Sequence, residues 1–162
     1  MDYTIYPYEG VGPIRFGMTP QQIHEILGEP DRVLPGYEAK FPTDSYHKIA
    51  IHVDYDESGA CDISLYDSDA KPIFREQVLF GQTFGELKPW FQSLKTDIQH
   101  YDSGLIFLKF GVSLYSPHYV FPHRDPYSPV EVIGVSSHNY IEKWASHNAK
   151  EYRREYADCS EG

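Results

Sequence analysis

One pattern occurs twice in this chain and sets the tightest limit on its fold. The segment from Ile14 to Pro30, IRFGMTPQQIHEILGEP, carries a full set of signals for a short helix. Thr19 serves as N-cap, Pro20 as the first helical residue with its φ already set, and Gln22 as the third-position partner of a capping box. Ile23, Ile26 and Leu27 share one face, Gly28 suits the position just past the end, and Pro30 prevents continuation. The spacing predicts a helix of about two to three turns.

The same grammar returns at FGQTFGELKPWF. Phe80, Gly81 and Thr83 follow Phe16, Gly17 and Thr19 at an offset of 64 residues, and Leu87, Trp90 and Phe91 keep that offset from Ile23, Ile26 and Leu27. Glu86 takes the place of Gln22 and preserves the box chemistry, while Pro89 falls inside the second helix, where a kink or shortening is expected. Two matched boxes predict an internal duplication: a single domain of two repeats, over approximately 10–75 and 76–138.

Each helix is followed by strand signals. In YHKIAIHVDYDESGACDISLYD, alternation on both sides of Glu57-Ser58-Gly59 predicts a hairpin. Ile49, Ile51, Val53, Cys61, Ile63 and Leu65 would form its apolar face, and His52, Asp54, Asp62, Ser64 and Tyr66 its polar one. DIQHYDSGLIFLKFGVSLYS and PVEVIGVSS supply further strands, separated by a long polar and aromatic loop at 117–129. A closing helix is expected over 139–156, carrying Tyr140, Trp144, Tyr152 and Tyr156, with a frayed tail after it. The fold class these elements predict is α+β, built of tandem duplicated units of helix plus antiparallel sheet, with a C-terminal helix.

Composition agrees with sheet. Aromatic residues make up 15% of the chain, and 12 Pro and 12 Gly are too many breakers for a helical bundle. A formal charge of −10 repels phosphates, which argues against nucleic acid and favours a basic protein partner. No stretch approaches the roughly 18 apolar residues of a membrane span, and MDYTIYPYEGVGP does not read as a leader, so a cytoplasmic protein without membrane contact is expected. Cys61 and Cys159 form no C-x-x-C pair and suggest neither a disulfide framework nor zinc.

The pattern FGMT-x-x-x-(I/V)-x-x-(I/L)-LG-x-P, here Phe16 to Pro30, resembles the helix signature of the β-lactamase-inhibitor-protein-like fold, shared with outer-membrane assembly lipoproteins of the SmpA/OmlA type. The longer GxGPIxFGMT, here Gly10 to Thr19, resembles cytosolic bacterial proteins that act as immunity proteins against polymorphic toxins. That resemblance implies a short helical segment ahead of a small antiparallel sheet, two tandem copies of it, and a concave polar and aromatic sheet face that receives the target.

No catalytic constellation stands out. His118 and His123, with Asp125, could offer ligands to a metal in a small hydrolase, but they sit in a proline-broken loop without diagnostic spacing. Asp54 and Asp56 lack the ligand order and closing glutamate of an EF-hand, and a charged hairpin turn accounts for them. There is no G-x-S-x-G elbow, and EGVGPIRFG does not open a helix as a phosphate loop does. Neither cofactor, metal nor catalytic residue is expected, and the chain reads as a non-enzyme.

Tyrosines among acidic side chains suit protein contact. The function expected is therefore an immunity or inhibitor protein that occludes a cognate bacterial toxin domain, a basic nuclease being one fit. A non-catalytic scaffold module is the alternative. The candidate partner-binding residues are His52, Asp54, Asp62, Ser64 and Tyr66, with Phe107, Lys109 and Tyr115 from the second half. The assignment rests on strand phase, which a one-residue slip inverts.

Overall fold

Short apolar-polar alternations, broken every few residues by Gly, Pro and Asp, make many brief strands and leave room only for short helices. The computed structural model describes residues 1–36, 40–68, 71–148 and 153–157. Strands β1 (Ile5–Tyr6), β2 (Gly10–Val11) and β3 (Ile14–Arg15) form a small sheet ahead of α1 (Pro20–Leu27). Strands β4 (Arg32–Leu34), β5 (Thr43–Tyr46), β6 (Ile51–Asp56) and β7 (Gly59–Tyr66) then meander. The pair β8 (Ile73–Phe74) and β9 (Gln77–Val78) leads into α2 (Phe84–Ser93). A second meander follows in β10 (Ile98–Tyr101), β11 (Gly104–Phe107), β12 (Val112–Tyr115) and β13 (Val132–Ser136), and then come α3 (His138–Asn148) and β14 (Arg154–Glu155).

The expected α+β architecture of duplicated helix-plus-sheet units is not what forms. Strand β7 pairs antiparallel with β13 from Asp62↔Ser136 to Tyr66↔Val132, so the meanders merge into one nine-stranded sheet in the order β14-β10-β11-β12-β13-β7-β6-β5-β4. Helices of 8, 10 and 11 residues lie against that continuous sheet, and the fold is β-rich. Continuous backbone hydrogen bonding across β7 and β13 satisfies two edges that separate units would have left open.

Local helix chemistry is as expected. At α1 the Thr19 Oγ1 accepts from the Gln22 amide at 3.2 Å, and the Thr19 amide donates to Gln22 Oε1 at 2.9 Å. At α2, Thr83 and Glu86 make the same exchange at 3.2 and 3.3 Å, and the helix continues through Pro89 to Ser93. Thr83→Ala is accordingly expected to cost about 1 kcal/mol of stability, read from the urea midpoint. Gly59, at φ 108°, opens β7 against the entry to α1, and a Cβ there would lie 2.6 Å from the carbonyl oxygens of Gly17 and Met18. Only glycine allows that approach.

The sheet has two unlike faces. On one, Ile51, Val53, Ile63, Leu65, Leu105, Phe107, Val112 and Leu114 pack with Ile23 of α1 and Phe84, Leu87 and Phe91 of α2 in the main core. On the other, Ile106 packs with Ile141 and Ala145 of α3, bordered by Tyr8, Tyr101, Leu108 and Trp144. The closing helix is shorter than expected: it ends at Asn148, and Arg154–Glu155 form a strand on β10 where a helix reaching Tyr156 was expected. Glu155 explains the change, since its carboxylate accepts from Lys88 Nζ at 3.0 Å and lies 2.8 Å from His100 Nε2. Tyr152, Cys159 and the tail beyond it lie outside the described residues.

Candidate functional site

Cross-strand register decides which expected residues meet. His52 pairs with Ser64 and Asp54 with Asp62, members of each pair sharing a face, so the first hairpin presents His52, Asp54, Asp62, Ser64 and Tyr66 together as expected. Tyr115 joins them through Val132, which pairs with both Tyr115 and Tyr66. His52 Nδ1 and the Tyr66 hydroxyl share a hydrogen bond at 3.1 Å, with the rings 4.7 Å apart.

Phe107 and Lys109 do not belong to this face. Phe107 pairs with Val112, and paired residues point the same way, so the β11–β12 turn reverses the odd-even rule that put Phe107 outward. Its side chain is wholly buried in the main core, stacked on Phe91 with ring centroids 3.8 Å apart. Lys109 stands in that turn, where its Nζ donates to the Leu94 carbonyl at 3.0 Å beside the end of α2. Cys61 departs from its expected row as well. A register shift after Asp54 pairs Tyr55 with Ala60, and the Cys61 thiol is left 3.5 Å from the Asp54 carbonyl oxygen, bordering a cavity of about 50 Å³ with Tyr140 and Trp144. Burial raises the pKa of that thiol, which keeps it protonated and unreactive.

The polar face is also less open than its sequence suggests, because α3 lies across part of it. Asp62 is buried beneath that helix, accepting hydrogen bonds from the hydroxyls of Ser136 and Ser64. Burial, with the Asp54 charge behind it, raises its pKa from 3.8 to about 7. Asp54 is raised by burial too, against the pull of the Thr43 hydroxyl and of His52. Desolvation lowers the pKa of His52, so the His52–Tyr66 pair is neutral near pH 7.

Between α3 and the sheet is a cavity of about 230 Å³, whose walls include Asp62, Ser64, Tyr101, Ser113, Tyr115, Ser136, Tyr140 and Trp144. A second hollow of similar volume lies beside His52 and Tyr66, lined also by Tyr46 and His47. Tyr101, Ser113, Ser136, Tyr140 and Trp144 were not among the expected site residues. Ser113 and Tyr115 do alternate with inward Val112 and Leu114, so the strand pattern held part of the signal. Ser136 meets Asp62 across 74 residues, which no local pattern reports.

His118, His123 and Asp125 are exposed, and the Asp125 carboxylate accepts from the Tyr127 amide within its own turn. Among the described residues, no three His, Cys, Asp or Glu side chains gather in a group that could hold a metal ion. None of the helices among the described residues is long and apolar enough to cross a membrane.

Neither a family profile nor a curated protein matches this sequence. In three dimensions the chain is similar to the crystal structure of an extracellular protein containing an SCP domain from Bacillus anthracis str. Ames, with a TM-score of 0.51 at 10% identity over 88% of this chain. The chain spans about half of that protein's length (49%), and at this identity the likeness is one of fold.

Proposed function

We propose that this chain is a non-catalytic inhibitor of the immunity-protein kind, which docks on a basic bacterial toxin domain in the cytoplasm and blocks its site. The observation that carries the reading is the uncovered half of the polar face, where Tyr115, Tyr66 and His52 stand beside Ser64. Tyr115 is 37% exposed and the His52–Tyr66 pair is half-buried, which holds the rings in place while leaving edges and hydroxyls for a partner. A net charge of −10 would speed encounter with a basic target. The resemblance of the Gly10–Thr19 motif to immunity proteins points the same way.

Co-expression with the C-terminal domain of any toxin found encoded immediately upstream tests the reading. Growth is expected to resume, and arrest persisting despite soluble expression would sink it. Affinity should fall with added salt. Tyr66→Ala and Tyr115→Ala are each expected to weaken the complex by about 2 kcal/mol or more. Calorimetric titration would read that loss, with circular dichroism checking that each variant is folded.

A further inference from the structure

The cavity under α3 combines a polar wall with an aromatic and aliphatic one. Asp62 supplies a carboxyl, and Ser64, Ser113 and Ser136 supply hydroxyls. Trp144 and Tyr101 meet edge to face, their ring centroids 5.3 Å apart at 78°, forming an aromatic corner over the same space. Among the described residues no lysine, arginine or histidine lines it, so its one ionisable carboxyl favours a cation. Across the β6–β7 pair, Asp54 stands directly opposite Asp62, an arrangement of like charges that disfavours ionisation of both. A cation placed at Asp62 would relieve that repulsion and lie near the ring faces. About 230 Å³ is below the roughly 300–1,000 Å³ of pockets for drug-sized ligands, which limits the occupant to a small group.

We infer that the cavity between α3 and the sheet binds a primary alkylammonium group, its nitrogen on the Asp62 carboxylate and its methylenes against Trp144 and Tyr101. The group belongs either to a lysine side chain of another protein or to a small free amine. Access runs past Tyr115 and the partly exposed Ser64 and Ser113, at the uncovered half of the face. The inference goes beyond the immunity reading and stands without it, since the walls belong to the isolated chain.

Titration of the purified protein with n-butylammonium, followed by the amide NMR shifts of Ser64, Gly134 and Ser136, tests it. Saturable shifts confined to these walls are expected, with n-butanol and butyrate giving far weaker ones. Asp62→Asn should weaken n-butylammonium about tenfold or more, the scale of a lost charge-assisted hydrogen bond. Ser64→Leu, which fills the cavity while keeping the carboxyl and its bond from Ser136, should abolish binding. Acetyl-lysine-methylamide binding as tightly as n-butylammonium would assign the group to a protein side chain, and its failure beside a bound n-butylammonium would assign a small amine. Absence of binding by either amine, equal binding of n-butanol, or unchanged affinity in a folded Asp62→Asn protein would overturn the inference. None of these outcomes bears on rescue from a toxin, so the two readings fail separately.

Discussion

Phe107→Ala is expected to lower the unfolding free energy by about 3–5 kcal/mol, the range for truncating a buried aromatic. Phe107 is wholly buried, lies parallel to Phe91 at 3.8 Å, and belongs to the core shared by the sheet and α2. Collapse around the missing ring is restricted, because Phe91 also packs on Phe74 at 5.7 Å and on Phe110 at 6.2 Å. A urea titration of the variant would show the midpoint falling with little change in slope. If Phe107 pointed outward with Tyr115, the change would stay within about 0.5 kcal/mol. A value that small would therefore refute the β11–β12 register.

The same residue shows where sequence reasoning lost the face. In the first hairpin the turn joins even to odd at Asp56↔Gly59, but the register shift after Asp54 restores even to even at Asp54↔Asp62 and His52↔Ser64, so counting by twos holds for those residues. In the second, Phe107↔Val112 joins odd to even, and the count inverts. The register shift between β6 and β7, which the β11–β12 pair lacks, decided which prediction held. Both helix caps were legible because Thr19–Gln22 and Thr83–Glu86 are contacts between residues three apart. The β7–β13 pairing that replaces separate units with one sheet was not, since it depends on edges meeting across the whole chain.

The placement of α3 was hidden for a related reason. Its sequence shows Ile141, Trp144 and Ala145 as an apolar stripe, but nothing in the helix tells which face of which sheet it will cover. By settling over Ile106, it turns an expected surface carboxylate, Asp62, into a buried one. The open part of the face is thereby confined to the Tyr66 and Tyr115 side, and the covered side becomes a walled cavity. A polar sheet face read from alternation is thus an upper limit on exposed surface, because helices elsewhere in the chain compete for it.

Burial of that carboxylate gives the second large effect, a stability gain for Asp62→Asn that grows with pH. Asp62 has its pKa raised from 3.8 to about 7, chiefly by burial and then by the Asp54 charge, so folding favours its protonated form. Below about pH 4 the group is protonated whether folded or unfolded, and ionisation costs nothing. Between about pH 4 and about pH 7 the unfolded chain loses the proton while the native one keeps it, and stability falls as pH rises. Above about pH 7 the native carboxylate is ionised as well and the full cost is constant. Asparagine keeps the shape, can donate to the Ser136 oxygen and accept from Ser64, and never ionises. The variant should match the parent at pH 4 and exceed it by about 2–4 kcal/mol at pH 8, the scale set by 1.36 kcal/mol per pKa unit. His52 and His100, both lowered mainly by burial, act with the opposite sign around pH 6.5, because each must stay neutral in the fold while the unfolded chain charges. Glu155 acts lower still. Its hydrogen bonds from Lys88 and His100 outweigh the effect of burial and hold its pKa near about 2, so its contribution disappears as pH falls from about 4.5. The variant-minus-parent difference, measured by urea unfolding at a series of pH values, isolates Asp62 from all three. A difference that is flat from pH 4 to pH 8 would mean that Asp62 ionises as freely in the fold as in the unfolded chain, and would place its carboxyl in water instead of beneath α3.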